Sequence, residues 1–177
     1  ADKRSALAIC WCGTMSHTTM AIARHGSGPR AALGAVASQI HPVFMAPPLA
    51  ASGFGAVLGG IDTPRLAGLH LAVAFAALYT AHVKDGLVDF HRRGEDEDHP
   101  LTQRGCHLAL LGATACFFSG VAALAVLVDP VAAALALPGW LVAILHAPQL
   151  DTTPLGATLG YPVGIGFALL GGYYVQA

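Results

Sequence analysis

The chain has 177 residues, of which 55% are apolar and only 11% are charged, and its formal net charge at pH 7 is −1. Soluble domains usually carry about a quarter of their residues as charged side chains. The polar residues here are therefore too few to coat an ordinary water-soluble surface, and the mean hydropathy of +0.61 points to a membrane protein. The near-zero net charge gives no support for nucleic-acid binding.

The N-terminal segment, residues 1–38, is predicted to be irregular or interfacial and to precede a membrane domain at 39–177. Residues 6–23 are moderately apolar but interrupted by Thr, Ser and His. This pattern favours a segment lying at the membrane surface over one that crosses it. The chain has no initiator Met and no signal-peptide pattern, so we expect it to begin within a longer reading frame.

Five later segments are candidate membrane spans, because a helix needs about 20 mainly apolar residues to cross the hydrocarbon core. They are 39–60, 66–83, 105–128, 131–145 and 155–175. The sequence thus predicts an all-α, polytopic transmembrane helix bundle. Lys and Arg are concentrated before the first span and after the second, which places the N-terminus and the acidic loop on the cytoplasmic side of the cell membrane.

The end of the second span carries the residues best suited to chemistry. If its helix continues to residue 91, His82, Asp85 and Asp89 fall at i, i+3 and i+7, on one face. Two carboxylates one turn apart repel each other unless a cation lies between them. Magnesium suits them, since it commonly takes one or two carboxylates and completes its shell with water and substrate phosphate.

Basic side chains around this face, Lys84, Arg92 and Arg93, would supply the positive charge that a diphosphate requires. Tyr79 lies on the same helix, where it lines a cavity or simply packs. For residues 95–98, a solvated, charged loop is as good an interpretation as a catalytic one. The cysteines show no C-x-x-C pair and no zinc-ligand spacing, and Cys106 and Cys116 are interpreted as small packing residues.

This region resembles the UbiA-type prenyltransferase family, whose first aspartate-rich motif, N-D-x-x-D-x-x-x-D, ends the second membrane helix. Here the corresponding run is D-G-L-V-D, beginning at Asp85 and followed by Glu95 and Asp96. The Asn is missing and the spacing differs by one residue, so Asp89 is matched in either alignment while the first metal position stays open. The resemblance implies magnesium on Asp85, Asp89 and Asp96.

Two further stretches are similar to the family. H-P-V-F-M-A-P-P at 41–48 looks like the opening of its first helix, with His41 in place of Arg. A-P-Q-L at 147–150, then L-G and G-G-Y-Y-V-Q at 171–176, looks like a run of the naphthoate prenyltransferases of menaquinone synthesis. Ala157 stands where the family has an acidic residue, and His146 precedes A-P, where it would touch the acceptor.

The resemblance implies transfer of a polyprenyl group from a prenyl diphosphate to an aromatic acceptor such as dihydroxynaphthoate. It also implies a fold of nine membrane helices, of which this chain holds about five. The second aspartate motif has no counterpart here, since Asp129 is predicted on the far side and Asp151 stands alone. We therefore expect the chain alone to be an incomplete enzyme, embedded in membrane lipid.

Two other classes of protein stay open at this point. Four histidines in or beside the spans, His70, His82, His107 and His146, raise the possibility of a haem-binding electron carrier, in which His side chains ligate iron from both faces. A transporter or a structural multi-span protein without catalysis is the other. A visible spectrum separates the first from the rest, because only haem gives a Soret band.

Overall fold

The computed structural model describes residues 21–177 and contains, within them, helices but no strand. The helices are α1 (Gly28–Ala37), α2 (Pro42–Leu58), α3 (Pro64–Val88), α4 (Gln103–Leu127), α5 (Pro130–Leu145) and α6 (Pro154–Tyr174). Two wider, π-helical turns, Asp89–Arg93 and His146–Leu150, continue α3 and α5. The all-α class predicted from the sequence is confirmed.

The helix starts follow from local sequence. All helices except α4 have Pro in the first turn, where the missing N–H costs no hydrogen bond and φ is already helical. Three starts are also capped by side chains: Thr102, Asp129 and Thr153 accept hydrogen bonds from backbone N–H groups of α4, α5 and α6. These caps satisfy donors that the helix itself leaves open.

Four helices are long and apolar enough to cross a membrane: α3 with its π-turn, α4, α5 with its π-turn, and α6. α1 and α2 add a fifth only if they count as one span, because they meet at a bend of 64°. The sequence instead predicts one continuous span at 39–60. Pro42 explains the difference, since the residue before a proline is disfavoured in helical conformation, and His41 is extended.

The N-terminal prediction is only partly testable. Most of the segment at 6–23 lies outside the described residues, whereas Gly28–Ala37 forms a regular helix where the sequence gives an irregular or interfacial stretch. A helix at this place is compatible with an interfacial position but not with an irregular chain.

α3 lies at the centre of the bundle and packs against α2, α4 and α5, while α2 packs closely along α6. The inward side chains of α3 pack against fully buried residues of the neighbouring helices, among them Met45, Phe117 and Leu124. The outer surface is apolar as well: Val43 is 79% exposed and Val126 is 83% exposed. Such a surface suits hydrocarbon better than water, which together with the helix lengths indicates a membrane protein.

Glycines allow the close approach of α2 to α6. A Cβ atom added at Gly55 would overlap the carbonyl oxygen of Leu169, and one added at Gly172 would overlap that of Ser52. Small residues at such positions let membrane helices pack backbone against backbone. The contact also brings Ser52 within 2.7 Å of His70 Nδ1, in a buried hydrogen bond to α3.

Candidate functional site

A cavity of about 860 Å³ lies inside the bundle, between α2, α3, α5 and α6. Over most of its depth the walls are small or apolar side chains, including Val73, Ala77, Leu78, Ile165 and Phe167. At one end, where α3 and α5 pass into their π-turns, the lining becomes polar and acidic. The cavity is therefore amphipathic along its length.

The acidic end contains the residues that the sequence places on one helix face. His82, Asp85 and Asp89 all line the cavity, so their predicted alignment is observed. His146, in the turn after α5, lies across the mouth, with its Nε2 atom 4.0 Å from Asp85 Oδ1. The proximity of His146 to Asp85 follows from α3 and α5 ending at the same end of the bundle.

Asp151 joins this group through Arg93. The Arg93 guanidinium Nη1 lies 2.7 Å from Asp151 Oδ2 and 3.1 Å from Asp89 Oδ1, so one cation holds two carboxylates from different elements. The sequence interpretation of Asp151 as a lone acidic residue is therefore wrong. Arg93 and Asp151 are 58 positions apart in the chain. The π-turns at the ends of α3 and α5 bring them into contact, and the sequence motifs do not predict these turns.

This ion pair has a consequence for stability. The hydrogen bond and charge of Arg93 hold the pKa of the Asp151 carboxyl below its ordinary value. A carboxyl with a depressed folded-state pKa stabilises the fold above its unfolded pKa of about 3.9 and loses that contribution as pH falls through the folded value.

We expect Asp151→Asn to lower the Tm at pH 7 by about 2–4 °C, the shift that roughly 1 kcal/mol produces in a chain of this size. The difference from the wild type should shrink below about pH 4, as the wild-type carboxyl becomes protonated. Thermal unfolding in detergent from pH 7 to pH 3 measures both. The exposed Asp62 provides the control variant, Asp62→Asn. A Tm difference for Asp151→Asn that stays constant down to pH 3 would contradict this assignment.

Four predicted substrate-binding residues do not line the cavity: Tyr79, Lys84, Arg92 and Arg93. Tyr79 is buried, and its hydroxyl donates a hydrogen bond of 2.8 Å to the Val36 carbonyl. Lys84 donates to the Ile144 carbonyl, because neighbouring residues on a helix point about 100° apart and Asp85 takes the cavity-facing position. Arg92 is exposed. Arg93 instead pairs with Asp89 and Asp151, so the basic cluster predicted from the sequence does not line the cavity.

The predicted magnesium set also changes. Asp85, Asp89 and Asp96 all line the cavity, but in the described part of the chain these three carboxylates do not come close enough to share an ion. Asp96 lies in the exposed loop after the π-turn, which holds it apart from the helix face. Asp85 and Asp89 stand one turn apart at one end of the cavity, and Asp89 also accepts a hydrogen bond from Arg93.

The haem hypothesis, which rests on His70, His82, His107 and His146, stays a hypothesis. Bis-histidine ligation needs two imidazoles on opposite faces of a porphyrin. His41 and His82 cannot form such a pair, because their ring centroids lie only 4.9 Å apart.

The loop between α3 and α4 is more structured than the sequence indicates. Asp98 accepts hydrogen bonds from Arg24 and His25. The hydrogen bond from His25 is the main reason that the pKa of this carboxyl lies below its usual range. Next to it, His99 and Leu101 are buried, and the Leu101 side chain is fully enclosed. The interpretation as a solvated loop therefore agrees with the exposed residues 95–98, and the buried part of the loop begins directly after them.

Comparison of the chain with protein-family models, with curated proteins and with solved structures finds no match in any of the three. Fold and site together define a class: an all-helical protein with four or five helices fit to cross a membrane, enclosing an amphipathic cavity with a carboxylate pair at its mouth.

Proposed function

We propose that this chain binds a prenyl diphosphate through magnesium at the cavity mouth and belongs to an intramembrane prenyltransferase of the UbiA type. The observation that supports this best is the amphipathic cavity. Apolar walls continue for most of its length, and two carboxylates, Asp85 and Asp89, stand at one end. A ligand with a long apolar tail and a strongly anionic head group matches both parts.

The two parts of the ligand make different demands. The tail gains about 25 cal/mol for each Å² of apolar surface it removes from water, which walls such as Val73, Ala77 and Phe167 provide. The head group cannot bind to bare carboxylates, because like charges repel. A divalent cation between them removes the conflict, and it explains why acidic side chains would line a diphosphate site.

In the proposed reaction the allylic C–O bond breaks and the diphosphate leaves with the electron pair. The electron-rich acceptor ring attacks the allylic carbon, a C–C bond forms, and the ring then loses a proton to restore its aromaticity. When bound, magnesium stabilises the negative charge that builds on the leaving group. Asp85 and Asp89 hold that ion, and His146, beside Asp85, is placed at the mouth where the acceptor enters.

The proposal also includes an orientation of the chain in the membrane, with the cavity mouth on the cytoplasmic side. The basic residues flank the end of the bundle that carries the cavity mouth, for example Arg24 near Asp98 and Arg93 near Asp151. Positive residues in short loops favour the cytoplasmic side. The mouth then opens to the cytoplasm, where a diphosphate ester is met.

Binding of a radiolabelled prenyl diphosphate to the purified chain in nanodiscs tests the proposal. We expect saturable binding with magnesium, at least about tenfold weaker binding after EDTA treatment, and weak binding of the matching prenyl alcohol, which has the tail without the charge. Equal retention of the alcohol and the diphosphate, or binding that does not respond to EDTA, would show that the cavity takes apolar ligands without the proposed head-group site.

A further inference from the structure

A second cluster of potential ligands lies behind the cavity mouth, where the π-turn after α3 meets the start of α4. His91, His99 and Cys106 each place one nitrogen or sulfur atom within 4.8 Å of the others. They come from three elements: the π-turn, the loop and α4. We propose that these three side chains form a zinc site. The site does not involve Asp85 or Asp89, and it goes beyond the proposed diphosphate chemistry.

The donor set fits zinc. Imidazole nitrogen and thiolate sulfur are its usual ligands, and sites with three protein ligands leave the fourth tetrahedral position to water or another group. The oxygen-poor character of the cluster disfavours magnesium and calcium, which require oxygen ligands. The ligand types therefore distinguish this proposed zinc site from the proposed magnesium site at the cavity mouth.

The geometry is close to that of a closed site. Tetrahedral zinc holds its ligand atoms about 3.3–3.8 Å apart, given bond lengths of about 2.0–2.3 Å. Cys106 Sγ already lies 3.9 Å from His99 Nδ1. Both side chains are buried, Cys106 completely, so closing the site requires only a small inward movement of His91, which is half-buried in the π-turn. Single π-turns are frequent at functional sites.

A buried neighbour sets the tautomer of His99. Its Nε2 atom lies 3.1 Å from Gln39 Oε1, and an amide oxygen only accepts hydrogen bonds. Nε2 therefore carries the proton, and Nδ1 has the lone pair, which in the metal-free form accepts a hydrogen bond from the Leu101 N–H over 3.2 Å. Ligating histidines usually have their other nitrogen held in this way. Gln39 is thus a positioning residue for the site.

Binding is balanced in protons and needs no redox partner. The Cys106 thiol releases its proton to solvent and ligates as thiolate. His99 keeps its tautomer, and its Nδ1 atom exchanges the hydrogen bond from the Leu101 N–H for the metal. His91 Nε2, which in the metal-free form lies 3.0 Å from the Leu101 carbonyl, exchanges that contact for the metal, with its proton moving to Nδ1. The bound ion would fasten the loop to α3 and α4.

Cobalt substitution tests the site, because thiolate-bound Co²⁺ absorbs through a ligand-to-metal charge-transfer band. The chain purified in detergent carries Cys10→Ser and Cys12→Ser, since these two cysteines lie outside the described residues and could bind metal themselves. We expect one equivalent of Co²⁺ with the thiolate band, displaced by one equivalent of Zn²⁺. Cys106→Ser should abolish the band, whereas Cys116→Ser, at an exposed position on the same helix, should keep it.

Two further variants guard against simple misfolding. His91→Gln changes a half-buried residue and should lose the band while size-exclusion behaviour and helical circular dichroism stay unchanged. Gln39→Ala should weaken zinc binding by about 10- to 100-fold, as loss of a partner behind a ligand does. No bound metal in the folded parent chain, or a band that survives Cys106→Ser, would overturn the proposal, whatever the result of the prenyl diphosphate assay.

Discussion

Asp89→Asn is expected to reduce magnesium-dependent binding of a prenyl diphosphate by about 100-fold or more, and to abolish transfer in any longer form of the chain that shows turnover. The substitution keeps the size of the side chain but removes the charge that attracts the cation. Losing even an indirect partner of a metal costs about 10- to 100-fold in affinity, so loss of a direct ligand sets that range as a lower limit.

Asp98→Asn is the matched control, because it changes another acidic residue lining the same cavity. Asp98 is bound to Arg24 and His25 in an exposed ion pair, and exposed pairs contribute little to stability. We expect binding within about twofold of the wild type. A magnesium titration of each variant separates the two roles: only Asp89→Asn should require more magnesium. Equal losses for both substitutions would place the metal elsewhere.

The thermal stability of Asp89→Asn provides a second control, because Asp89 also forms an ion pair with Arg93. In the folded chain Arg93 bridges Asp89 and Asp151, so Asp89→Asn removes the charge of one ion pair but keeps an oxygen that can accept from Arg93. The ion pair with Asp151, at 2.7 Å, remains. Thermal unfolding should therefore show only a small change for Asp89→Asn, and a large fall in Tm with lost binding would point to a structural role instead.

The sequence carried enough information for the helices and for one face of the site. Spans 2 to 5 could be predicted to within a few residues, because long apolar runs, first-turn prolines and side-chain caps all specify helix boundaries locally. The alignment of His82, Asp85 and Asp89 is likewise a property of a single helix, and helical periodicity is sufficient to find it.

What the sequence could not supply depends on contacts between elements. The bridge from Arg93 to Asp151 and the His91–His99–Cys106 cluster both form only because the π-turns and the loop after α3 fold back on the bundle. In the sequence, this loop is indistinguishable from an ordinary polar, solvent-exposed one. The ligand spacing in the cluster matches no short motif, so Cys106 was interpreted as a packing residue. The bend between α1 and α2 is not predicted either, although its cause, Pro42 with the extended His41 before it, is local.

The closest helix contact in the bundle gives the second large expected effect. Gly172→Ala, and likewise Gly55→Ala, should destabilise the chain strongly, because the added Cβ overlaps a backbone carbonyl of the facing helix. Backbone cannot rotate away as a flexible side chain can. Overpacking a tight contact typically costs about 1–3 kcal/mol, and we expect the upper end of this range or more, together with a wider separation of α2 and α6.

Gly53→Ala and Gly166→Ala are the controls, since they lie on the same two helices and a Cβ at either position meets no atom within 4 Å. They should be neutral or slightly stabilising, as alanine is the better helix former. Thermal unfolding in one detergent, read by circular dichroism, compares all four variants.

The same contact also affects the cavity. Ser52 lies at the Gly172 contact and forms a hydrogen bond of 2.7 Å with His70 of α3. Separation of α2 from α6 should therefore also loosen the packing of α2 on α3 and open the cavity wall. Prenyl diphosphate binding should then fall in Gly172→Ala and stay at the wild-type level in Gly166→Ala, since Gly166 does not line the cavity. Similar Tm values for the two would show that α2 and α6 do not approach as closely as their glycines permit.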